Sequence, residues 1–265
     1  YAHREARKRR ENLGEYGWIR LAREALRGNR GWAPAWRKAV PKPAYRAVIV
    51  GGGGHGLATA FYLAKEYGIT DVAVLEKGWI GSGNVGRNTT IVRSNYMGDR
   101  VVPFYEKSLQ MWEGLSHDLD FNVMFSSRGV INLAHTPAQM DAFTRRANSM
   151  RLNGVDAELL DRAALRRRVP LLDLSAQARF PVIGALHQAR GGSARHDAVA
   201  WGYARAADRR GVDIVEGCEV TGFLREGERI VGVATTRGEI RAEKTAVAVA
   251  GSTSRVMARA GVERL

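Results

Sequence analysis

One cysteine, Cys218, stands in 265 residues. That excludes an internal disulfide and suits a reducing compartment, so a cytoplasmic location is expected. Cys218 sits in an apolar strand pattern with no thiol-activating neighbours, which reads as a small buried residue and not as a nucleophile. No apolar run approaches the roughly 20 residues of a bilayer span, so no membrane partner is expected. Acidic residues are scarce as well: 27 Asp and Glu face 41 Lys and Arg, leaving a net charge of +14. The excess is local. Residues 1–46 carry thirteen Lys/Arg and four Glu, which places +9 of the +14 in an N-terminal arm. The rest of the chain is only mildly basic, and no nucleic-acid partner is expected for it. Internal repeats and low-complexity blocks are also lacking, and no metal is expected.

The arm, taken as residues 1–43, contains Arg9-Arg10, but no uninterrupted apolar region follows, which rejects a twin-arginine export signal. Trp18, Ile19, Leu21, Leu26, Trp32 and Trp36 are interleaved with arginines. Their spacing predicts a short amphipathic helix over 18–27 and then an irregular tail, suited to docking on the same protein or on a partner subunit. Pro41 and Pro43 close the arm. The chain starts at Tyr1 without methionine and stops at Leu265 soon after a strand–turn–helix start, so a fragment is expected.

What is present is concentrated in Tyr45–Thr90. An apolar run, Ala47-Val48-Ile49-Val50, leads into Gly51-Gly52-Gly53-Gly54-His55-Gly56. A helix-spaced segment, Leu57–Lys65, follows, and a second apolar run, Val72–Leu75, ends on Glu76. This order is that of a dinucleotide-binding unit. Gly51 serves the tight turn, Gly53 lets the backbone approach a pyrophosphate, and Gly56 lets helix and strand pack closely. The helix N-terminus offers free N–H groups and a positive dipole end to phosphates. Glu76 can accept hydrogen bonds from a ribose. The glycine turn alone does not choose between NAD and FAD. The following segment, Gly81–Thr90, is rich in turn formers and can wrap a cofactor backbone with main-chain N–H groups.

Further along, helices are predicted over 104–119, 137–152 and 161–169, the last capped by Asp161. Strand character is expected at 123–134, around the turn at Arg128-Gly129, and extended chain at 182–195. Asp197 resembles an N-cap for a helix over 198–210, with Val199, Trp201, Tyr203 and Ala206 facing inward. Strands are expected at 212–215, 218–224, 230–236 and 239–242, and a separate buried strand at 244–250. The fold class is α/β with α+β elements. A discontinuous Rossmann-like FAD-binding domain (44–97 and 191–265) is interleaved with a mixed-sheet, substrate-facing module (98–190).

At this point the residues resemble a known family. Val50–Ala64, Val74–Tyr96, Arg128–Leu133, Asn153–Leu160, Arg195–Gly202 and Gly211–Phe223 are similar to flavin-dependent amine oxidoreductases of the D-amino-acid oxidase superfamily. Within it they most resemble the beta subunits of heterotetrameric sarcosine oxidases. The resemblance covers about residues 20–265 and lacks that family's C-terminal portion. It implies two flavins. FAD, bound non-covalently, would be contacted by Gly54, His55, Glu76, Asn84, Thr89, Ile91 and Val220, with Arg87 serving its backbone. FMN would be covalently attached at His196 with Arg195 beside it, where the family has lysine. A histidine ring nitrogen can attack the activated 8-methyl carbon of an isoalloxazine, so the bond is feasible. Arg93 would grip the substrate carboxylate with its guanidinium fork.

The activity implied is oxidative demethylation of sarcosine to glycine, with formaldehyde or methylenetetrahydrofolate and hydrogen peroxide. Alpha, gamma and delta subunits, oxygen, and tetrahydrofolate on another subunit would be the partners. Residues activating oxygen are expected beyond Leu265. Four alternatives are weighed against this. A dimethylglycine- or glycine-oxidising relative would share the Rossmann residues, whereas the Arg195–Gly202 context favours the two-flavin subunit. An NAD-dependent dehydrogenase has no need of Asn84–Arg93. A nucleic-acid-binding module led by the arm would bind duplex DNA with steep salt dependence, and an inactive truncated subunit would act only as a scaffold.

Overall fold

The structure is a computed structural model that describes residues 18–28, 30–31, 34–96, 98 and 100–262, except the side chains of 19–21. Arg9-Arg10 and Trp32 lie outside the described residues, as do the side chains of Ile19 and Leu21. Residues 1–35 and 36–265 are separate compact units. The first holds α1 (Trp18–Leu26), with Trp18 and Leu26 exposed.

The second unit is mixed α/β. Its main sheet has six strands in the order β8-β2-β1-β11-β10-β9. These are β1 (Ala44–Val50), β2 (Val72–Leu75), β8 (Asp213–Val215), β9 (Val220–Glu226), β10 (Arg229–Thr235) and β11 (Gly238–Val247). The first four in that order are parallel, whereas β10 joins β11 and β9 antiparallel. Val48 sits opposite Ala73 on one side and Thr245 on the other, so β1 is central. Parallel strands buried on both faces are expected to read as continuous apolar runs, and Val48-Ile49-Val50 does. Ile49 faces α2 (Gly54–Tyr67) and α6 (His196–Asp208), in a core with Leu57, Phe61, Ala200 and Ala204. Val48 and Val50, pointing the other way, join Leu75, Val215, Cys218 and Val233. The buried thiol of Cys218 is thus core packing.

A second sheet, order β4-β6-β5, comprises β4 (Val130–Ala134), β5 (Glu158–Asp161) and β6 (Gly184–Gln188), all antiparallel. It carries α4 (Pro137–Leu152) and α5 (Arg162–Arg168). Thr136 and Gln139 close a capping box at the start of α4, and Asp161 accepts from Ala164 N at 2.7 Å to cap α5. Between the sheets run α3 (Val102–Leu119) and a two-stranded ladder of β3 (Ile91–Val92) with β7 (Gly192–Ser193). A short helix, α7 (Thr253–Ala258), follows β11.

Four expectations are corrected. The strands placed at 239–242 and 244–250 are one strand, β11, because it pairs with β10 on one edge and β1 on the other and has no reason to break at Glu243. The span 123–134 is regular only from Val130, with one isolated bridge from Ser126 to Ser193. The N-cap of α6 is Arg195, so Asp197 lies in the first turn; its carboxylate is drawn back to Arg195. Trp201 is 44% exposed, since at 100° per residue it points away from the face shared by Val199, Tyr203 and Ala206.

Candidate cofactor site

The C-terminal ends of β1, β2 and β11 open into a cavity of about 1530 Å³. That exceeds the ordinary small-ligand pocket of about 300–1,000 Å³ and suits an extended ligand. Gly51 leaves β1 at φ 108°, and a Cβ there would lie 2.4 Å from the Ala248 carbonyl oxygen. A Cβ on Gly56 would lie 2.0 Å from the Gly51 carbonyl oxygen. Both positions therefore demand glycine for the fold itself. Gly53 differs: nothing lies within 4 Å of its missing Cβ. It is the N-cap of α2 without a side-chain bond, and with Gly54 it lines the cavity, so the first helical N–H groups are left open to a ligand there.

Glu76 sits at the end of β2. Its Oε2 accepts from Gly52 N and its Oε1 from Gly78 N, both at 2.9 Å. Each oxygen keeps a lone pair for a ribose hydroxyl. The segment after it is stapled by side chains: Asn88 Nδ2 donates to Val85 O at 2.6 Å, and Asn88 Oδ1 accepts from Thr90 N at 2.7 Å. These bonds hold Thr90 at φ 61°, an unusual conformation for a β-branched residue. Ala250, on the opposite rim, is likewise left-handed at φ 47°.

Gly51, Gly53, Gly54, His55, Glu76, Asn84, Arg87, Ile91, Val220 and His196 all line this cavity. Gly56 is buried beneath it, while Thr89, Arg93 and Arg195 stand off its wall. The structure adds residues that sequence reasoning missed: Met111 and Trp112 of α3, Tyr203 of α6, and the turn Ala248–Thr253. Burial pushes the Tyr203 phenol well above its ordinary value, so it stays neutral. The alternation of α6 contained that residue, and the strand–turn–helix start after β11 contained the turn; neither pattern names a ligand.

His196 begins α6, and its Nδ1 is buried without a hydrogen-bond partner among the described residues. Arg195 beside it is engaged: Nε and Nη2 grip the Asp197 carboxylate at 2.8 and 3.0 Å. The Arg195 fork holds the Asp197 carboxyl below the usual carboxylate range. A depressed folded-state value means stability present above about pH 4 and lost as pH falls through the folded-state value. Because Arg195 lies in solvent, the contribution is small. Asp197→Asn is accordingly expected to destabilise slightly at pH 7 and not at about pH 2, as chemical denaturation at the two pH values will show.

A strand–glycine–helix–strand–acid unit at the mouth of an elongated cavity, with a second sheet beside it, defines a dinucleotide-binding α/β protein. Residues 46–265 match the DAO family, described as FAD dependent oxidoreductase, and the chain belongs to that family. It is 62% identical over 247 residues to the sarcosine oxidase subunit beta of Rhizobium meliloti (strain 1021), covering 93% of this chain and 59% of that protein. It is 53% identical over 228 residues to the corresponding subunit of an Arthrobacter species, covering 86% and 56%. Among solved structures it is similar to L-proline dehydrogenase from P. horikoshii, with a TM-score of 0.78 and 29% identity, covering 85% of this chain and 58% of that one. The chain thus spans somewhat over half the length of the curated relatives it matches. Among the described residues no helix is long and apolar enough to cross a membrane.

The site fits FAD on its own chemistry. A helix start with glycine at its N-cap and first position faces the cavity for the pyrophosphate, and Glu76 presents unshared lone pairs for a ribose.

Proposed function

We propose that the protein carrying this chain oxidises the N-methyl group of sarcosine, as the beta subunit of a cytoplasmic oxidase with alpha, gamma and delta subunits. Sarcosine, oxygen and water give glycine, formaldehyde and hydrogen peroxide; tetrahydrofolate on another subunit would take the one-carbon unit as methylenetetrahydrofolate instead. The observation that carries this reading is a single cavity bordered by both the glycine turn and His196. Similarity to sarcosine oxidase beta subunits supports the choice of substrate.

Bound FAD supplies the acceptor for a hydride equivalent from the substrate N-methyl carbon. The chain's own residues do the rest. Gly51, Gly53 and the α2 N-terminus hold the pyrophosphate, with Gly54, His55, Asn84, Arg87, Thr89, Ile91 and Val220 around the remainder. Glu76 orients the ribose. Arg93 grips the substrate carboxylate, and the module at 98–190 closes the substrate side. His196 is the attachment point for FMN, in keeping with a buried Nδ1 that has no hydrogen-bond partner among the described residues. Arg195 serves the FMN phosphate with whatever donors its pairing with Asp197 leaves free.

Acid precipitation of the whole protein followed by mass spectrometry of the His196 peptide tests the two-flavin reading. A flavin mass on that peptide, lost in His196→Ala, is the expected result. Recovery of all flavin in the supernatant overturns it, and a preference for dimethylglycine over sarcosine overturns the substrate.

A further inference from the structure

Arg93 lies one residue past Val92, which lines the cavity, and its charge acts on a second guanidinium, that of Arg146 on α4. Both converge on Asn95. Arg93 Nη1 donates to the Asn95 side-chain oxygen at 2.5 Å, and Arg146 Nη2 donates to the Asn95 main-chain carbonyl. Asn95 is fully buried, and its Nδ2 donates to Asn132 Oδ1 on β4 at 2.9 Å. A fixed, neutral asparagine therefore sits between two cations.

Among the described residues no carboxylate makes an ion pair with Arg93 or Arg146, and Arg146 Nε is buried with no hydrogen-bond partner. Desolvation and then the charge of Arg93 hold the Arg146 guanidinium below its ordinary value. One face of Arg93 is covered by the Tyr96 ring, 4.5 Å from its centroid, and Tyr96 stacks on Tyr105 at 3.7 Å. Cation–π contact occupies the guanidinium face and leaves the in-plane donors for an acceptor. Like charges held together in a half-buried place are unfavourable. A carboxylate between them removes the repulsion and takes up idle donors.

We propose that Arg146 is a substrate-binding residue that forms, with Arg93, a two-guanidinium receptor for the carboxylate of a small N-methyl amino acid. This rests on the demethylation reading above, which assigns the carboxylate to Arg93 alone. Two planar forks discriminate more sharply than one, because a neutral analogue leaves both cations uncompensated.

The test uses the flavin-loaded whole protein, with acetate as an inert carboxylate followed by calorimetry, and sarcosine compared with N-methylglycinamide as substrates. Arg146→Gln is expected to weaken acetate binding and raise the sarcosine KM about 10- to 100-fold. Kinetics with the amide should hardly change. Arg146→Lys keeps the charge and one donor to Asn95, and should fall between wild type and Arg146→Gln. Acetate affinity unchanged in both variants overturns the proposal. An equal loss towards sarcosine and its amide also overturns it, since a purely structural hold on Asn95 predicts that pattern. Acetate binding that depends on Arg146, in a protein that does not oxidise sarcosine, supports the receptor and removes the demethylation reading. Normal sarcosine kinetics in Arg146→Gln do the reverse.

Discussion

Gly56→Ala is expected to cost about 3 kcal/mol of stability or more and to strip the protein of FAD. The added methyl would lie 2.0 Å from the Gly51 carbonyl oxygen, 3.2 Å from its carbonyl carbon and 3.3 Å from Ile49 Cγ2. Two of these are backbone atoms at the end of the central strand β1, so no rotamer change relieves the clash. The start of α2 must move away from β1, and the N–H groups that face the cavity move with it. Gly53→Ala provides the contrast. Its φ of −80° is open to any residue and nothing lies within 4 Å of the new Cβ. Its stability should stay within about 0.5 kcal/mol of wild type, while flavin retention falls because the methyl occupies the approach to the pyrophosphate. Denaturant midpoints and flavin-to-protein ratios of the two variants separate the roles. Full flavin content in Gly53→Ala would sink the phosphate assignment, and a wild-type midpoint in Gly56→Ala would sink the packing argument.

These two glycines show what kind of information the sequence held openly. The unit from Val48 to Glu76 is local: turn, helix and acid lie within thirty residues, and each has one physical task. α4 was equally plain because Thr136, Pro137 and Gln139 mark its start by side-chain chemistry, and its range over 137–152 is as the spacing predicts. Errors arose where a residue's state depends on a distant partner. Lys244 reads as the start of a strand only until β10 is known to pair Gly238–Arg241 and β1 to take over from Arg241 to Val247 without a break. Asp197 has the sequence position of a cap and is diverted by Arg195. The pairing of Arg93 with Arg146 spans 53 positions and runs through a buried asparagine, so no local pattern contains it. Trp112 and Tyr203 reach the cavity from different helices, and their helical spacing says only that one face is apolar.

A second large effect is expected where Arg93 is anchored. Its neighbour Ser94 is fully buried: Oγ donates to Glu106 Oε2 at 2.8 Å and accepts from Gln188 Nε2 at 2.7 Å, while Ser94 N donates to Gln188 Oε1 at 3.1 Å. Glu106 and Glu113, two turns apart on α3, are both taken by Arg190, with Glu113 gripped bidentately at 2.8 and 2.9 Å. Arg190 N also donates to Asp156 at 2.9 Å. One guanidinium thus ties α3 to the turn between β6 and β7, and indirectly to the strand end that carries Arg93. Arg190→Met keeps most of the packing volume and removes the charge. Glu106, whose side chain is only 12% exposed, is then left uncompensated, and a loss of about 2–4 kcal/mol follows. Glu106→Gln in the same background is expected to recover about 1–2 kcal/mol, because a neutral amide still accepts from Ser94 without demanding a cation. Additive losses in that double-mutant cycle would dismiss the network as a unit. The cycle also carries a functional reading, since Ser94 and Gln188 fix the backbone from which Arg93 projects. Under the proposed function, in which Arg93 holds the substrate carboxylate, Arg190→Met should raise the sarcosine KM while leaving flavin content intact, because nothing in the network touches the glycine turn or Glu76.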